Sequence, residues 1–359
     1  MKIFHCDNCE QLVFYENVRC VNCEHDLAYL PDLEEIAALE PAGDNLWYSP
    51  APAAKRRTYR LCQNYRQQNI CNWAVPADDP NPLCGSCRLT RVIPDLSQPG
   101  HKERWYRLEV AKRRLLYSLR SLGLPLLSKT EHPERGLAFQ FLADPDPETP
   151  NAAPVLTGHN EGLITINLAE ADDAEREKRR MRMHEPYRTL LGHFRHEVGH
   201  YYWDRLIQDS EGIEDFRARF GDEREDYGQA LQSHYQEGAP VDWQERFLSS
   251  YASSHPWEDW AETWAHYLHM TDTLETAITC GLSLRPRRSD EPALKAHPTT
   301  RGCLPESFDR LIESWFPLTY VLNNLNRGMG VPDGYPFVLS SPAIAKLRFV
   351  HEVVGAQKG

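Results

Sequence analysis

The pattern of hydrophobic and polar positions along this chain changes its period several times, which predicts both helices and short strands. Apolar residues recur at helical spacing over residues 102–123. The residues on that apolar face are Trp105, Leu108, Leu115 and Leu119. Residues 137–144 and 162–170 are short, largely apolar runs that predict strands. A charged helix is predicted over residues 170–183, and a last helix is predicted to begin at Ser341, with this serine as N-cap.

Residues 192–204, GHFRHEVGHYYWD, predict a helix with two different faces. At about 100° per residue, its ionisable side chains share one stripe. This stripe consists of His193, His196, Glu197, His200 and Asp204. The apolar face consists of Leu190, Leu191, Phe194, Val198, Tyr201 and Tyr202. Gly192 and Gly199 lie beside the polar stripe, where a second backbone could approach closely.

The polar stripe contains the pattern HExxH. His196 and His200 are spaced i and i+4, so both imidazoles can bind one Zn²⁺, and Glu197 can reach a water on that metal. A solvent-exposed polar face is the alternative interpretation. It explains less well why histidines and a glutamate are grouped beside glycines.

A zinc site of this type needs a third ligand from another element. Residues 249–272 predict a second helix that begins at Pro256 and carries tryptophans opposite a face of carboxylates and histidines. Glu258 in the first turn suits the third ligand, and Glu262 one turn later can orient a histidine ligand. A surface helix anchored by its tryptophans is the alternative.

Eight of the ten cysteines lie before residue 88, which separates the chain into two regions. Four of them form two CxxC pairs: Cys6, Cys9, Cys20 and Cys23. Two such pairs predict a structural zinc held by four thiolates, and the missing βαβ pattern argues against a redox motif. The other four are Cys62, Cys71, Cys84 and Cys87. They contain one CxxC and predict a second structural zinc, with buried free thiols as the alternative.

Composition changes this picture little. Of the 359 residues, 52 are acidic and 40 are basic, and the net charge of −12 argues against nonspecific nucleic-acid binding by the whole surface. A local basic patch remains in residues 55–57, together with Arg60 and Arg66. The first residues lack the apolar region of a signal peptide, and the chain lacks a run long enough to span a membrane. We therefore expect a cytoplasmic protein without a membrane partner, whose cysteines stay reduced.

The two predicted helices in residues 192–204 and 249–272 resemble those of gluzincins, and in particular those of lethal-factor-like metallopeptidases. The resemblance rests on HEVGH followed by the spacing Y-x6-E-x2-A-E, which comprises Tyr251, Glu258, Ala261 and Glu262. It implies that Glu258 is the third zinc ligand and that Glu262 orients a ligand. It further implies that Tyr251 stabilises the transition state and that Asp204 has a structural role beside the ligands. Tyr227 and Tyr335 are alternative hydroxyl donors, whereas His193 and His234 are expected to be ordinary polar residues.

The chain as a whole resembles a bacterial family of zinc-binding metallopeptidases with an N-terminal zinc ribbon. The matching segments include LCGSCRLTRVIPDL, YRTLLGHFRHEVGHYYWDRL and HPWEDWAETWAHYLH. The resemblance implies an α+β fold, in which a zinc ribbon over residues 1–100 precedes a mostly helical, zincin-like domain over residues 101–359. That domain should contain a small sheet with an edge strand for which residues 162–168 are the candidate, with Asn160 and Glu161 near the cleft.

These features predict a zinc-dependent peptidase that hydrolyses peptide bonds through a zinc-activated water, with Glu197 as the general base. Its expected cofactors are one catalytic and one or two structural zinc ions. Its expected partner is a peptide or protein substrate. The alternative is a regulatory protein whose zinc ribbon binds nucleic acid or protein, with a minor or silent HExxH site.

Overall fold

The N-terminal third of the chain is built from short antiparallel strands next to cysteine-bearing turns. The computed structural model describes residues 1–55, 57–146, 153–183, 189–285, 287 and 307–358. A hairpin is formed by β1 (Phe4–His5) and β2 (Leu12–Val13). Five further strands pair in chain order: β3 (Asp26–Leu30), β4 (Glu35–Gly43), β5 (Leu46–Tyr48), β6 (Thr58–Leu61) and β7 (Ala74–Pro76). The short helix α1 (Gln63–Gln68) lies between β6 and β7.

A four-stranded sheet joins the N-terminal third to the rest of the protein. Its four strands are β8 (Thr90–Val92), β9 (Ala138–Leu142), β10 (Gly158–Asn160) and β11 (Leu163–Asn167), in the spatial order β10-β11-β9-β8. β8 and β11 run parallel to β9, whereas β10 is antiparallel to β11. Because β8 precedes residue 100 and pairs with β9, this sheet crosses the predicted domain boundary, which itself stays a prediction.

The edge strand of this sheet differs from the one that we predicted. Residues 162–168 contain β11, which is an interior strand between β9 and β10. The edge strand next to β11 is β10, because Glu161 and Gly162 form a two-residue turn that places β10 against the outer side of β11, and β8 is the other edge of the sheet. Both turn residues have positive φ, 47° and 82°, as a tight hairpin turn requires. The prediction was wrong because β10, at three residues, is too short to show an alternating pattern.

Helices make up most of the second domain, as expected. They are α2 (His101–Ser121), α3 (Asp173–Met183), α4 (Leu190–Leu206), α5 (Ile213–Phe220), α6 (Tyr227–Glu237), α7 (Pro256–Thr279), α8 (Phe308–Gly328) and α9 (Ser341–Gly355). The fold is therefore α+β, with a zinc-ribbon region before a mostly helical domain that contains a small sheet.

The N-cap of α9 is Ser340 and not Ser341, since the Ser340 hydroxyl accepts from the Ala343 amide. Within the described part of the chain, no helix combines the length and the apolar character needed to cross a bilayer.

The antiparallel crossing of α4 and α7 forms the centre of the second domain. The predicted core face of α4 is buried at Phe194, Val198, Tyr201 and Tyr202. On α7, Trp260 and Trp264 are completely buried, and the Trp260 indole N–H donates to the Gly199 carbonyl at 2.9 Å. The predicted close approach at Gly199 is confirmed, because a Cβ there would lie 3.0 Å from the Ala261 Cα.

Replacing Gly199 tests how tightly the two helices meet. Gly199→Ala is expected to lower the free energy of unfolding by about 1–3 kcal/mol, since the new methyl group overpacks the interface by more than helix propensity restores. Gly328→Ala is the matched control, because a Cβ there meets no atom within 4 Å. Urea unfolding of both variants measures the difference. Equal stability of the two variants would contradict the close approach.

Candidate metal centre

The crossing of α4 and α7 brings three potential metal ligands together. The Glu258 Oε2 lies 2.9 Å from the His196 Nε2 and 3.6 Å from the His200 Nε2. The ligand atoms of the three residues all lie within 4.8 Å of one another. His196 and His200 lie one turn apart on α4, and Glu258 lies in the first turn of α7, which starts at Pro256 with His255 as N-cap.

The chemistry of this donor set fits a cation. The His196 Nδ1 lies 2.8 Å from the Glu262 Oε1, so Nδ1 carries the proton and Nε2 directs a lone pair toward Glu258. The Glu258 Oε2 is buried and accepts no hydrogen bond from the described residues. Lone pairs of two imidazoles and a carboxylate that meet at one point are stabilised by a metal ion between them.

Ser249 supports the carboxylate of Glu262, which in turn contacts His196, and the sequence did not predict this role for Ser249. Its hydroxyl donates to the Glu262 Oε2 at 2.7 Å and accepts from the Ala252 amide at 3.1 Å. The first bond orients the carboxylate that holds His196. The second bond holds the turn Tyr251–Ser253, so one serine connects the ligand support with the segment that carries Tyr251.

Removing the Ser249 hydroxyl should therefore weaken metal binding. Ser249→Ala is expected to lower zinc affinity by about 10- to 100-fold, because the loss of an outer-layer partner loosens the ligand histidine. Ser253→Ala is the control, since that hydroxyl donates to the Ser250 carbonyl in the same turn. Competition with a fluorescent chelator measures both affinities. Equal affinities would argue against this role for Ser249.

Glu197 and two tyrosines surround the ligand cluster. Glu197 is only 5 % exposed and faces the cavities on both sides of the cluster. The rings of Tyr251 and His196 lie 6.0 Å apart, and burial followed by the Glu258 charge raises the pKa of Tyr251, which keeps its hydroxyl protonated. The Tyr227 hydroxyl donates to the Glu258 Oε1 at 2.7 Å. Tyr335, the other alternative donor, instead contacts the His266 Nδ1 at 2.8 Å.

Asp204 lies on the far side of the ligands, next to a residue that the sequence analysis missed. Its Oδ2 lies 3.7 Å from the Nε2 of His159 on β10, and burial raises the pKa of Asp204 to about 6. The His159 ring stacks on the His200 ring with centroids 6.2 Å apart. Its Nε2 also accepts the Gly162 amide proton at 2.8 Å, so His159 connects the turn after β10 with the candidate ligand His200.

The remaining predicted polar residues lie at the margins of the cluster. The His193 Nδ1 lies 3.4 Å from the Oε2 of buried Glu170, and the His234 ring lies 6.1 Å from that of Tyr251. Neither histidine belongs to the groups of side chains that could hold a metal among the described residues.

Both predicted cysteine clusters assemble in the N-terminal third. The Sγ atoms of Cys6 and Cys23, and those of Cys9 and Cys20, lie 3.6 Å apart, and those of Cys71 and Cys84 lie 3.7 Å apart. A tetrahedron with Zn–S bonds of about 2.3 Å has edges of about 3.8 Å. Three backbone amides donate to sulfur in the second cluster: Trp73 to Cys71, Cys84 to Cys62 and Cys87 to Cys84. Both clusters therefore have the dimensions of a four-thiolate zinc site.

Comparison with known proteins identifies the family of the chain. Residues 101–353 match the family described as "putative zinc-binding metallo-peptidase", and residues 3–98 match a zinc-ribbon domain. This chain belongs to that metallopeptidase family. Uncharacterized proteins of Mycobacterium tuberculosis and Mycobacterium bovis are 43% identical over 355 residues, which covers 99% of this chain and 95% of theirs. No solved structure matches the chain significantly.

Some of the basic residues predicted as a nucleic-acid patch already have partners within the chain. Arg57 pairs with Asp32, and Arg60 donates to the backbone carbonyls of Asp79 and Asn81. Arg56 lies outside the described residues. Binding of nucleic acid or protein by the ribbon therefore stays a prediction.

Proposed function

We propose that this member of the family is a zinc-dependent peptidase of the gluzincin type. The observation that carries the proposal is the buried Glu258 carboxylate, which meets both histidines of the HExxH helix and has one oxygen that accepts no hydrogen bond from the described residues. His196, His200 and Glu258 would hold the metal, while Glu262 and Ser249 orient His196. The two cysteine clusters would hold structural zinc ions.

The chain supplies the proton chemistry from residues around the ligands. When bound, zinc supplies a Lewis acid that polarises the scissile carbonyl and lowers the pKa of a water toward neutrality. The Glu197 carboxylate takes the proton of the attacking water and later gives it to the leaving nitrogen. The Tyr251 hydroxyl donates to the oxygen on which negative charge develops. Tyr227 orients Glu258 through its hydrogen bond.

The shape of the cleft supports cleavage within a polypeptide. Two cavities meet at the cluster: cavity A, of about 590 Å³, next to α6 and the middle of α7, and cavity B, of about 610 Å³, next to β10 and the end of α4. Both are lined by His196, Glu197 and Tyr251. A chain that crosses the cluster can therefore place residues on both sides of the scissile bond, with β10 available for backbone pairing.

Metal content per chain tests the proposed site directly. The wild-type protein is expected to hold about three zinc ions and His196→Ala about two, because the cysteine clusters keep theirs. His234→Ala should keep about three. Plasma mass spectrometry of desalted protein gives the counts, and hydrolysis of an unfolded protein such as reduced casein should disappear with the third ion. An unchanged zinc count in His196→Ala would refute the proposal that His196, His200 and Glu258 bind zinc.

A further inference from the structure

The charged residues that line cavity A already have partners within the protein. Arg195 pairs with Asp272, and the Glu262 carboxylate accepts from His196 and Ser249. His193 lies against Glu170, and His266 contacts the Tyr335 hydroxyl. Among the described charged groups that line the cavity, Glu197 is thus the one assigned to the reaction. The floor of cavity A has little capacity to neutralise a charged ligand.

The walls of cavity A are apolar and include large side chains that face solvent. They comprise Val155, Leu156, Leu231, Tyr235, Ala265 and Phe337. Leu156 is 79% exposed and Tyr235 is 60% exposed. Exposed apolar side chains that line a concave surface are typical of a binding site.

Helix α6 contributes one complete face to this cavity. Tyr227, Leu231 and Tyr235 are spaced i, i+4 and i+8, so they form one stripe along the helix, and all three line cavity A. No residue of α6 is buried. The stripe therefore contributes little to the core, although an amphipathic surface helix normally buries its apolar face.

Cavity A is also continuous with the reacting groups. Tyr227 lines it and at the same time donates to the Glu258 carboxylate, and Glu197 lines it from the opposite helix. A side chain bound between α6 and α7 therefore belongs to a residue next to the bond that is cleaved.

We propose that cavity A is the subsite for a large apolar side chain adjacent to the scissile bond, a proposal that rests on the proposed peptidase function. Leu231 on α6 is its specificity-determining residue. Binding of a Phe or Leu side chain is favourable because its apolar surface leaves water and packs against these walls. Among the described groups that line cavity A, an Asp side chain would meet no unpaired cation, and a Lys side chain would meet only the Glu197 carboxylate that the reaction uses, so both would lose hydration with little compensation.

Peptide binding to an inactive full-length protein tests the subsite. Zinc-loaded Glu197→Gln is titrated with fluorescein-labelled peptides that differ at one central position, which is Phe, Leu, Asp or Lys, and anisotropy gives Kd. We expect Phe and Leu peptides to bind about tenfold or more tightly than the charged ones, given the free energy of burying such a side chain. Adding Leu231→Glu should remove this preference. Adding Ser233→Glu, which places the same charge on the exposed opposite face of α6, should retain it.

Two results would overturn the subsite: equal Kd values for all four peptides, including no measurable binding, or the same loss of preference in the Leu231→Glu and Ser233→Glu proteins. Hydrolysis by the wild type separates this failure from that of the proposed function. Apolar-selective binding without cleavage of any unfolded protein would refute the peptidase proposal and leave the subsite intact. Cleavage without enrichment of apolar residues beside the cut bond would refute the subsite alone.

Discussion

Glu197→Gln should lower kcat/KM for peptide hydrolysis by about 10²–10⁴-fold while zinc content stays unchanged. The amide has the same size as the carboxylate but cannot accept the proton of the attacking water. Glu197 is not one of the three side chains that meet at the metal position, and it is buried between cavities A and B. The substitution therefore removes one chemical step and leaves the ligand set in place.

The measurement compares initial rates on an unfolded protein with zinc counts from the same preparation. Glu211→Gln is the control, because Glu211 is an exposed glutamate just beyond the C-terminal end of α4. It should retain the wild-type rate. A Glu197→Gln protein as active as Glu211→Gln would refute the peptidase mechanism, and lost zinc would show that Glu197 supports the metal instead.

Cys84→Ser should destabilise the protein by more than any single change in the helical domain considered above. Its cluster is almost completely buried, and burial raises the pKa of the Cys84 thiol well above its usual value, so a bound cation is needed to keep a thiolate at Cys84. Structural zinc provides about 10–16 kcal/mol of apparent binding free energy in small zinc-finger domains, which is comparable to the whole stability of a typical domain.

The loss of folded structure in Cys84→Ser should extend from the second cysteine cluster into the helical domain. Cys87 begins a short 3-10 turn, Cys87–Leu89, that leads into β8, and β8 pairs with β9. The Thr90 hydroxyl on β8 donates to Glu109, and Glu109 forms a fully buried pair with Lys112 on α2 at 2.8 Å. Unfolding of the second cluster would expose or unpair these charges, and breaking a buried pair costs about 3–5 kcal/mol.

Soluble yield, zinc count and thermal unfolding measure this effect. Cys280→Ser is the control, because Cys280 is exposed and belongs to neither cluster. Cys9→Ser should have an intermediate effect, since its cluster is partly exposed and lies beside a two-stranded hairpin. The same midpoint of unfolding for Cys84→Ser and Cys280→Ser would contradict a structural metal in the second cluster.

The sequence alone was sufficient for features that depend on short-range spacing. An i, i+4 pair of histidines shares one face of any α-helix, and a CxxC pair forms a tight turn wherever it occurs. The position of Glu258 in the first turn of α7 follows from Pro256 and the tryptophan face. For this reason, the residues of all three potential metal clusters could be predicted before the fold was known.

Other parts of the site depend on which elements meet, and no local pattern encodes that. Tyr227 reaches Glu258 across 31 positions of the chain, and His159 reaches His200 from a strand of three residues. Ser249 was not distinguished from its neighbouring serines, because its role depends on a carboxylate that a later helix brings to it. The edge strand was misassigned for the same reason, since the pairing of β10 was not visible in its composition.

The sequence by itself therefore determined the chemical groups of this protein: three sets of potential zinc ligands, a buried tryptophan face and a glycine at which two helices meet. The tertiary structure alone decided how these groups are used. It placed Ser249 behind the candidate ligand His196, His159 beside the candidate ligand His200 and the apolar face of α6 along cavity A. The physical reason is that covalent spacing fixes contacts within a helix or turn, whereas contacts between elements depend on packing of the whole core.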